Sequence, residues 1–235
     1  MSPSIQRIRV WDLPTRIFHW SLVICVVGAF VTVKAGVLWM DWHMRFGLAA
    51  LALLCFRVVW GLVGPRYARF SQFLKGPGAV LRYFRQPESH LAGHNPLGGW
   101  SVMLMLAAFG FQTVSGLFTT DDVLTSGPLT YLSSAWTATL TNLHKANEWV
   151  LIGIVALHVA AIVFHQWRGK KLIGPMIHGD ALVDTPTPLQ ASSDTWGRRL
   201  LALLIIVAFG VAGVLAAIPI TPAPNATSEP KPKRS

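Results

Sequence analysis

The chain is short of charge. Only 13% of its 235 residues are Asp, Glu, Lys or Arg, against roughly 25% in soluble domains, while 52% are hydrophobic. That balance argues against a water-soluble monomer. Cysteine is scarce: Cys25 and Cys55 each sit inside an apolar run, so neither a disulfide framework nor a CxxC metal knuckle is available, and both read as small apolar fillers. Acids are few as well, ten against 20 cations. The resulting excess charge of +10 is not a nucleic-acid signature, because no basic stretch carries the aromatic interleaving of a binding module. What is plentiful is Trp, at ten residues, and Gly, at 20. Trp gathers at membrane interfaces and Gly lets membrane helices approach closely.

A hydrocarbon core of about 30 Å takes about 20 helical residues. Five stretches meet or nearly meet that length: about 14–33, 42–64, 97–118, 142–167 and 199–219. The first has Pro14 in its opening turn behind Asp12. A polar leader precedes it and no clear small-residue cleavage site follows, so it is expected to be a retained span rather than a signal peptide. The fold class expected is all-α: an integral membrane antiparallel four-helix bundle with an additional fifth transmembrane helix. Its divisions are a leader over 1–13, a four-helix transmembrane domain over 14–180, a linker over 181–198, the fifth helix over 199–220 and a disordered tail over 221–235. An interfacial helix is expected near Ala79–Phe84. The fifth span has no His or charged residue within Leu200–Ile220 and reads as an anchor or packing helix.

With five spans, the leader and the loops 65–96 and 168–198 share one side. That side holds Arg7, Arg9, Arg16, Arg66, Arg69, Lys75, Arg82, Arg85, Arg168, Lys170, Lys171, Arg198 and Arg199. The other side holds Lys34, Lys231, Lys233 and Arg234, with Asp121 and Asp122 in the 119–141 loop. By the positive-inside rule the amino terminus is cytoplasmic, and the cationic excess faces membrane lipid. Arg45 and Arg57 in span two, and Lys145 and Glu148 in span four, need polar surroundings inside the bilayer.

The placement of the eight histidines is the most informative feature. His90, His94 and His178 fall in cytoplasmic loops and are expected to be solvated, whereas His19, His43, His144, His158 and His165 lie within or at the ends of spans. Histidine in a membrane span points to metal or haem ligation or to proton relay. A relay calls for acids, and Glu148 is the one acid inside a span. The interval from His144 to His158 returns to within about 40° of the same helix face, about 21 Å further along the axis. That is too far for one metal ion and suits two stacked cofactors. Matching depth pairs His43 with His144 towards the outside, and His19 with His158 or His165 towards the inside, His165 being on the same face about 10 Å further along. Zinc or copper is disfavoured, since separated pairs do not supply three or four ligands to one centre.

The residues Arg16-Ile17-Phe18-His19-Trp20, the run Arg57-Val58-Val59-Trp60-Gly61-Leu62-Val63-Gly64 with Pro65-Arg66-Tyr67-Ala68-Arg69-Phe70, the segment His94-Asn95-Pro96-Leu97-Gly98-Gly99, and Leu143-His144-Lys145 with Leu157-His158-Val159-Ala160-Ala161 carry a resemblance. Together they resemble the bacterial di-haem cytochrome b561 family, which includes the cytochrome b subunits of nickel–iron hydrogenases, over about residues 7–180. The resemblance implies two haem b groups ligated by His19, His43, His144 and His158, and so favours His158 over His165. It implies electron transfer in the bacterial inner membrane between the quinone pool and an external c-type cytochrome, dehydrogenase or hydrogenase subunit. An electron-transfer subunit is expected rather than a stand-alone enzyme. A superoxide-oxidising quinone reductase is the alternative within the family, and a non-redox transporter or anchor the alternative outside it. Haem propionates call for cations: Arg16 is the inner candidate, Arg45, Lys145 and Lys34 the outer ones, and Arg57 is expected to meet a propionate or another buried partner. Gly47, Gly61, Gly98, Gly99, Gly110 and Gly116 serve helix packing or porphyrin clearance. The patch Gln112, Thr113 and Ser115 is expected to bond between helices rather than to bind quinone.

Overall fold

The fold is taken from a computed structural model, which describes residues 4–85, 93–120, 125–132, 134–185 and 189–217. His90, Asp121, Asp122 and the tail over 221–235 lie outside them. In chain order the elements are strand β1 (Ser4–Arg9), helices α1 (Leu13–Ala35), α2 (Met40–Val63), α3 (Phe70–Phe73), α4 (Pro77–Arg85), α5 (Pro96–Gly116), α6 (Ser134–Trp167) and α7 (Ile173–His178), strand β2 (Asp180–Thr185) and helix α8 (Trp196–Ala217). Five of these helices, α1, α2, α5, α6 and α8, are long and apolar enough to cross a membrane. The all-α membrane bundle is therefore what the chain forms.

Local chemistry sets the ends of these helices. Pro14 occupies the first turn of α1, where a missing N–H costs nothing. Gly36 closes α1 at a φ of +100°, a region that favours glycine, and the tight turn Val37–Trp39 leads straight into α2. So short a link forces α1 and α2 to run antiparallel, and they pack along their length. At α5, Asn95 caps the helix by accepting from Gly98 N–H at 2.6 Å, with Pro96 just inside. Helix α6 departs from expectation: it begins at Ser134 rather than near 142 and, at 34 residues, runs about 51 Å. Hydropathy marks only the part that suits lipid, whereas a polar stretch without Gly or Pro continues the helix beyond it.

Helix α2 is the central post. Its Ala50, Leu53, Phe56 and Trp60 repeat at helical spacing and are buried with Phe18 and Cys25 of α1 and Ala202 of α8. Trp60 is fully enclosed and stacks on Phe56 at 5.7 Å between ring centres. The fifth span, α8, thus packs on α2 and touches α1. On its other flank α2 meets α5, and α5 meets α6. Among the described residues of the long helices, α6 packs closely on α5 and far less on α1 and α2, which sets it apart from that pair across a slot. The outward faces of the bundle are apolar, with Ile24, Leu157 and Val214 exposed, as a lipid environment requires.

At one end of the bundle the leader, the segment after α2 and the segment after α6 converge. Stretches expected to be a leader and a linker instead pair as an antiparallel ladder, from Ser4 opposite Thr185 to Arg9 opposite Asp180. Ile8, Val10, Trp11 and Val183 form a small core beneath it. Asp180 accepts from Arg7 and Arg9, and Asp194 accepts from Arg9 at 3.0 Å and Arg199 at 2.9 Å, tying the start of α8 to β1. Arg66 donates to Gln190 at 2.8 Å, and Tyr67 Oη donates to the Gln190 carbonyl at 3.0 Å.

Two outcomes follow. A Cβ on Gly61 would lie 2.2 Å from the Phe70 ring, so Gly61→Val should cost about 1–3 kcal/mol. It should lower the melting temperature in detergent, whereas Gly210→Ala, with open space around it, should not. Separately, Arg9 and then Arg7 hold the Asp180 carboxylate below its ordinary range. A depressed folded value means that this contact stabilises fully above the unfolded carboxylate value of about 3.9 and fades as pH falls through the lower folded value. Limited proteolysis should find β1 protected at neutral pH and cleavable only in stronger acid.

Candidate functional site

Two groups of imidazoles border the slot, one towards each end, termed outer and inner after the topology expected from the loop charges. In the outer group, His43 stands in the first turn of α2 and His144 on α6, their ring centres 6.3 Å apart and their planes at 86°. His43 Nδ1 lies 2.8 Å from the Ala29 carbonyl of α1, a contact that requires a proton on Nδ1 and leaves the Nε2 lone pair free. His144 Nδ1 lies 3.0 Å from the Gln112 carbonyl and 3.2 Å from Ser115 Oγ, both on α5. The Gln112 side chain reaches His144 Nε2 at 3.2 Å and accepts from Asn147 at 2.8 Å. Gly116 permits this approach, since a Cβ there would lie 3.0 Å from the His144 ring. Gln112 and Ser115 thus bond between helices as expected, and their specific work is to orient His144; Thr113 bonds back to Phe109 of its own helix at 3.0 Å.

In the inner group, His158 of α6 lies within electrostatic range of His19 of α1. His19 Nδ1 is buried and makes no hydrogen bond among the described residues. His165 is elsewhere: its ring stands edge-on to Phe164 at 5.7 Å, and the charges near it are Arg168 and Lys170.

A third imidazole belongs to the inner group, and here the sequence reading needs correction. His94, expected to be solvated, lies between the rings of Trp11 and Phe73, each 4.8 Å away. Part of the residue stays accessible, but Nδ1 is closed off and has no partner. Burial, with Arg57, His158 and His19 nearby, pushes the ring down to about 3, so it is neutral. The signal was present in Asn95 and Pro96, which pin the loop to the start of α5, but the enclosing rings come from distant segments. Among the described residues no three His, Cys, Asp or Glu side chains converge as a metal site built from protein alone would need.

The prokaryotic cytochrome b561 family model matches residues 10–179. The chain belongs to the prokaryotic cytochrome b561 family. No curated protein and no solved structure matches it. As a cytochrome b561 it is a multi-pass bacterial membrane protein that binds haem b and serves electron transfer with redox partners.

The residues fit the group that this family carries. Two metal–nitrogen bonds of about 2 Å in line, extended to the ring centres, give a separation of about 6 Å, and His43 and His144 stand at 6.3 Å. Open space lies next to Gly47, one turn from His43 on α2, and next to Gly110 on α5. Gly61, Gly98 and Gly99 instead sit against Phe70, Asn95 and Phe73 respectively. At the inner end, Arg16 donates to the Ile177 carbonyl while its Nε is buried and unpartnered. Arg57 is buried, donates to the Ala68 carbonyl at 2.9 Å and lies 5.0 Å from the Phe70 ring centre. Its nearest compensating charge is Asp12, which accepts from Thr15 at 2.6 Å and Trp60 at 2.9 Å and whose carboxyl is raised by burial.

The outer cations of this cytochrome b561 are deployed differently. Arg45 lies 5.1 Å from the Trp42 ring centre, and Lys145 is exposed within electrostatic range of His144. Lys34 bonds Glu148 at 2.6 Å, joining α1 to α6 one turn from His144. Removing one partner leaves the other charge half-buried. Lys34→Met and Glu148→Gln should therefore each lower thermal stability in detergent, while the double variant recovers part of the loss. The coupling expected from a double-mutant cycle is about 0.5–1 kcal/mol.

Proposed function

We propose that the chain is a di-haem cytochrome that carries electrons across the bacterial inner membrane between an external redox partner and the quinone pool. The external partner is a c-type cytochrome or a dehydrogenase or hydrogenase subunit. The four-helix unit over 14–180 does this work, with His43 and His144 holding the outer haem and His19 and His158 the inner one. The observation that carries the reading is the outer pair, two imidazoles from separate helices facing each other with their Nδ1 atoms turned onto backbone carbonyls.

The haem supplies a one-electron couple at its iron. The protein's part is positional. Imidazoles from two helices would hold each haem, a ligation that would favour electron transfer over oxygen binding. The contacts to Ala29 and Gln112 fix ring orientation and tautomer, as outer partners of metal-bound histidine generally do. Phe18, Phe56 and Trp60 exclude water from the inner half of the bundle. The gathering of Arg16, Arg57, Arg66 and Arg69 at the inner end supports a cytoplasmic amino terminus.

Reduction of the purified chain with dithionite should give a b-type spectrum with close to two haems per chain. His43→Ala and His144→Ala should abolish one spectral component and His19→Ala and His158→Ala the other, while His165→Ala leaves both. A colourless, folded preparation, or loss of one component from His43→Ala and the other from His144→Ala, would overturn the reading.

A further inference from the structure

The inner end holds one imidazole more than an iron needs. His19 and His158 account for two axial positions in the proposed haem site, and His94 is near both without converging on a common point with them. Depth separates it further. His19 lies six residues inside α1 and His158 nine residues before the end of α6, about 9 and 14 Å from the inner ends of their helices. His94 instead precedes the first residue of α5 and lies outside the helical spans. Its ring is fixed between Trp11 and Phe73, and the Asn95 cap and Pro96 hold its backbone. Its Nδ1 is buried and has no hydrogen-bond partner among the described residues, and in the tautomer that carries the proton on Nδ1 this atom is a donor. A buried donor without an acceptor is costly, so a bound acceptor is expected.

The neighbouring groups define the acceptor. Arg57 of α2 lies within electrostatic range of His94, Arg16 of α1 has a buried unpartnered Nε, and Arg69 beside α3 has another. The acids at this end are engaged elsewhere: Asp12 accepts from Thr15 and Trp60, Asp180 from Arg7 and Arg9, and Asp194 from Arg9 and Arg199. Unused donors with positive charge behind them suit a carboxylate. We propose that His94 is a positioning residue of the inner haem, donating through Nδ1–H to a propionate carboxylate that Arg16 also holds. This rests on the di-haem reading. The charge-assisted hydrogen bond neutralises part of the propionate charge and fixes the porphyrin against rotation about the His19–His158 axis.

The test uses the full chain in detergent, with His94→Phe, which keeps a ring between Trp11 and Phe73 but has no donor, and His94→Gln, which restores an N–H. Haem content and the midpoint potential of each spectral component are measured by equilibrium redox titration. Both variants should keep two haems. In His94→Phe the component that depends on His19 should shift to lower potential, because a less neutralised carboxylate favours ferric iron, and His94→Gln should return it towards the wild-type value. An unmoved midpoint in His94→Phe, an equal shift in both variants, a shift confined to the component that depends on His43, or loss of a haem from both variants would overturn the assignment. A wild-type chain without a b-type spectrum would instead sink the di-haem reading itself.

Discussion

The slot between α6 and the α1–α2 pair is the feature around which the molecule is organised. A helix in lipid satisfies its own backbone but gains little from apolar contact with another helix, because the lipid tails are as apolar as its neighbours. Helix α6 nevertheless stands away from α1 and α2, packing on α5 and reaching across through an imidazole and a carboxylate. A family whose members bind haem b, and two faced imidazoles at a separation suited to one metal ion, give the slot its purpose.

Charge within the membrane obeys the same economy. Every cation or acid in a span is costly unless it is paired, enclosed in protein or able to reach the interface. Glu148 is paired with Lys34, and Arg57 is folded against the Ala68 carbonyl and Phe70. Arg45 lies against Trp42 near the end of its helix. The inner end differs, because the buried nitrogens Arg16 Nε, His19 Nδ1, Arg69 Nε and His94 Nδ1 have no hydrogen-bond partner among the described residues.

The sheet joining the leader to the segment before α8 shows a second level of organisation. Strands β1 and β2 are each six residues long and would not persist as an isolated pair. They hold because Val10 and Trp11 pack beneath them and because Arg9 bonds both Asp180 and Asp194. Through Arg199 the same network positions α8, so the fifth helix is fastened to α2 in the membrane and to β1 at its surface.

The sequence by itself determined what is periodic or local. The five spans and the placing of His144 and His158 on one face of one helix follow from the length and pitch of a helix in a bilayer, and Pro14 marks the opening turn of the first span. Four of the spans were close to their observed bounds, and the fourth was cut short because its outer turns are polar although still helical. Tertiary structure decided whatever needs two distant segments to meet: His43 facing His144, the enclosure of His94 by Trp11 and Phe73, the Asp12–Trp60 bond, the Lys34–Glu148 pair and the β1–β2 ladder. Hydropathy and spacing describe a residue's relation to its own helix axis. They carry no record of which neighbouring segment the chain will bring alongside, and so nothing local to His94 announces the Trp11 and Phe73 rings beside it.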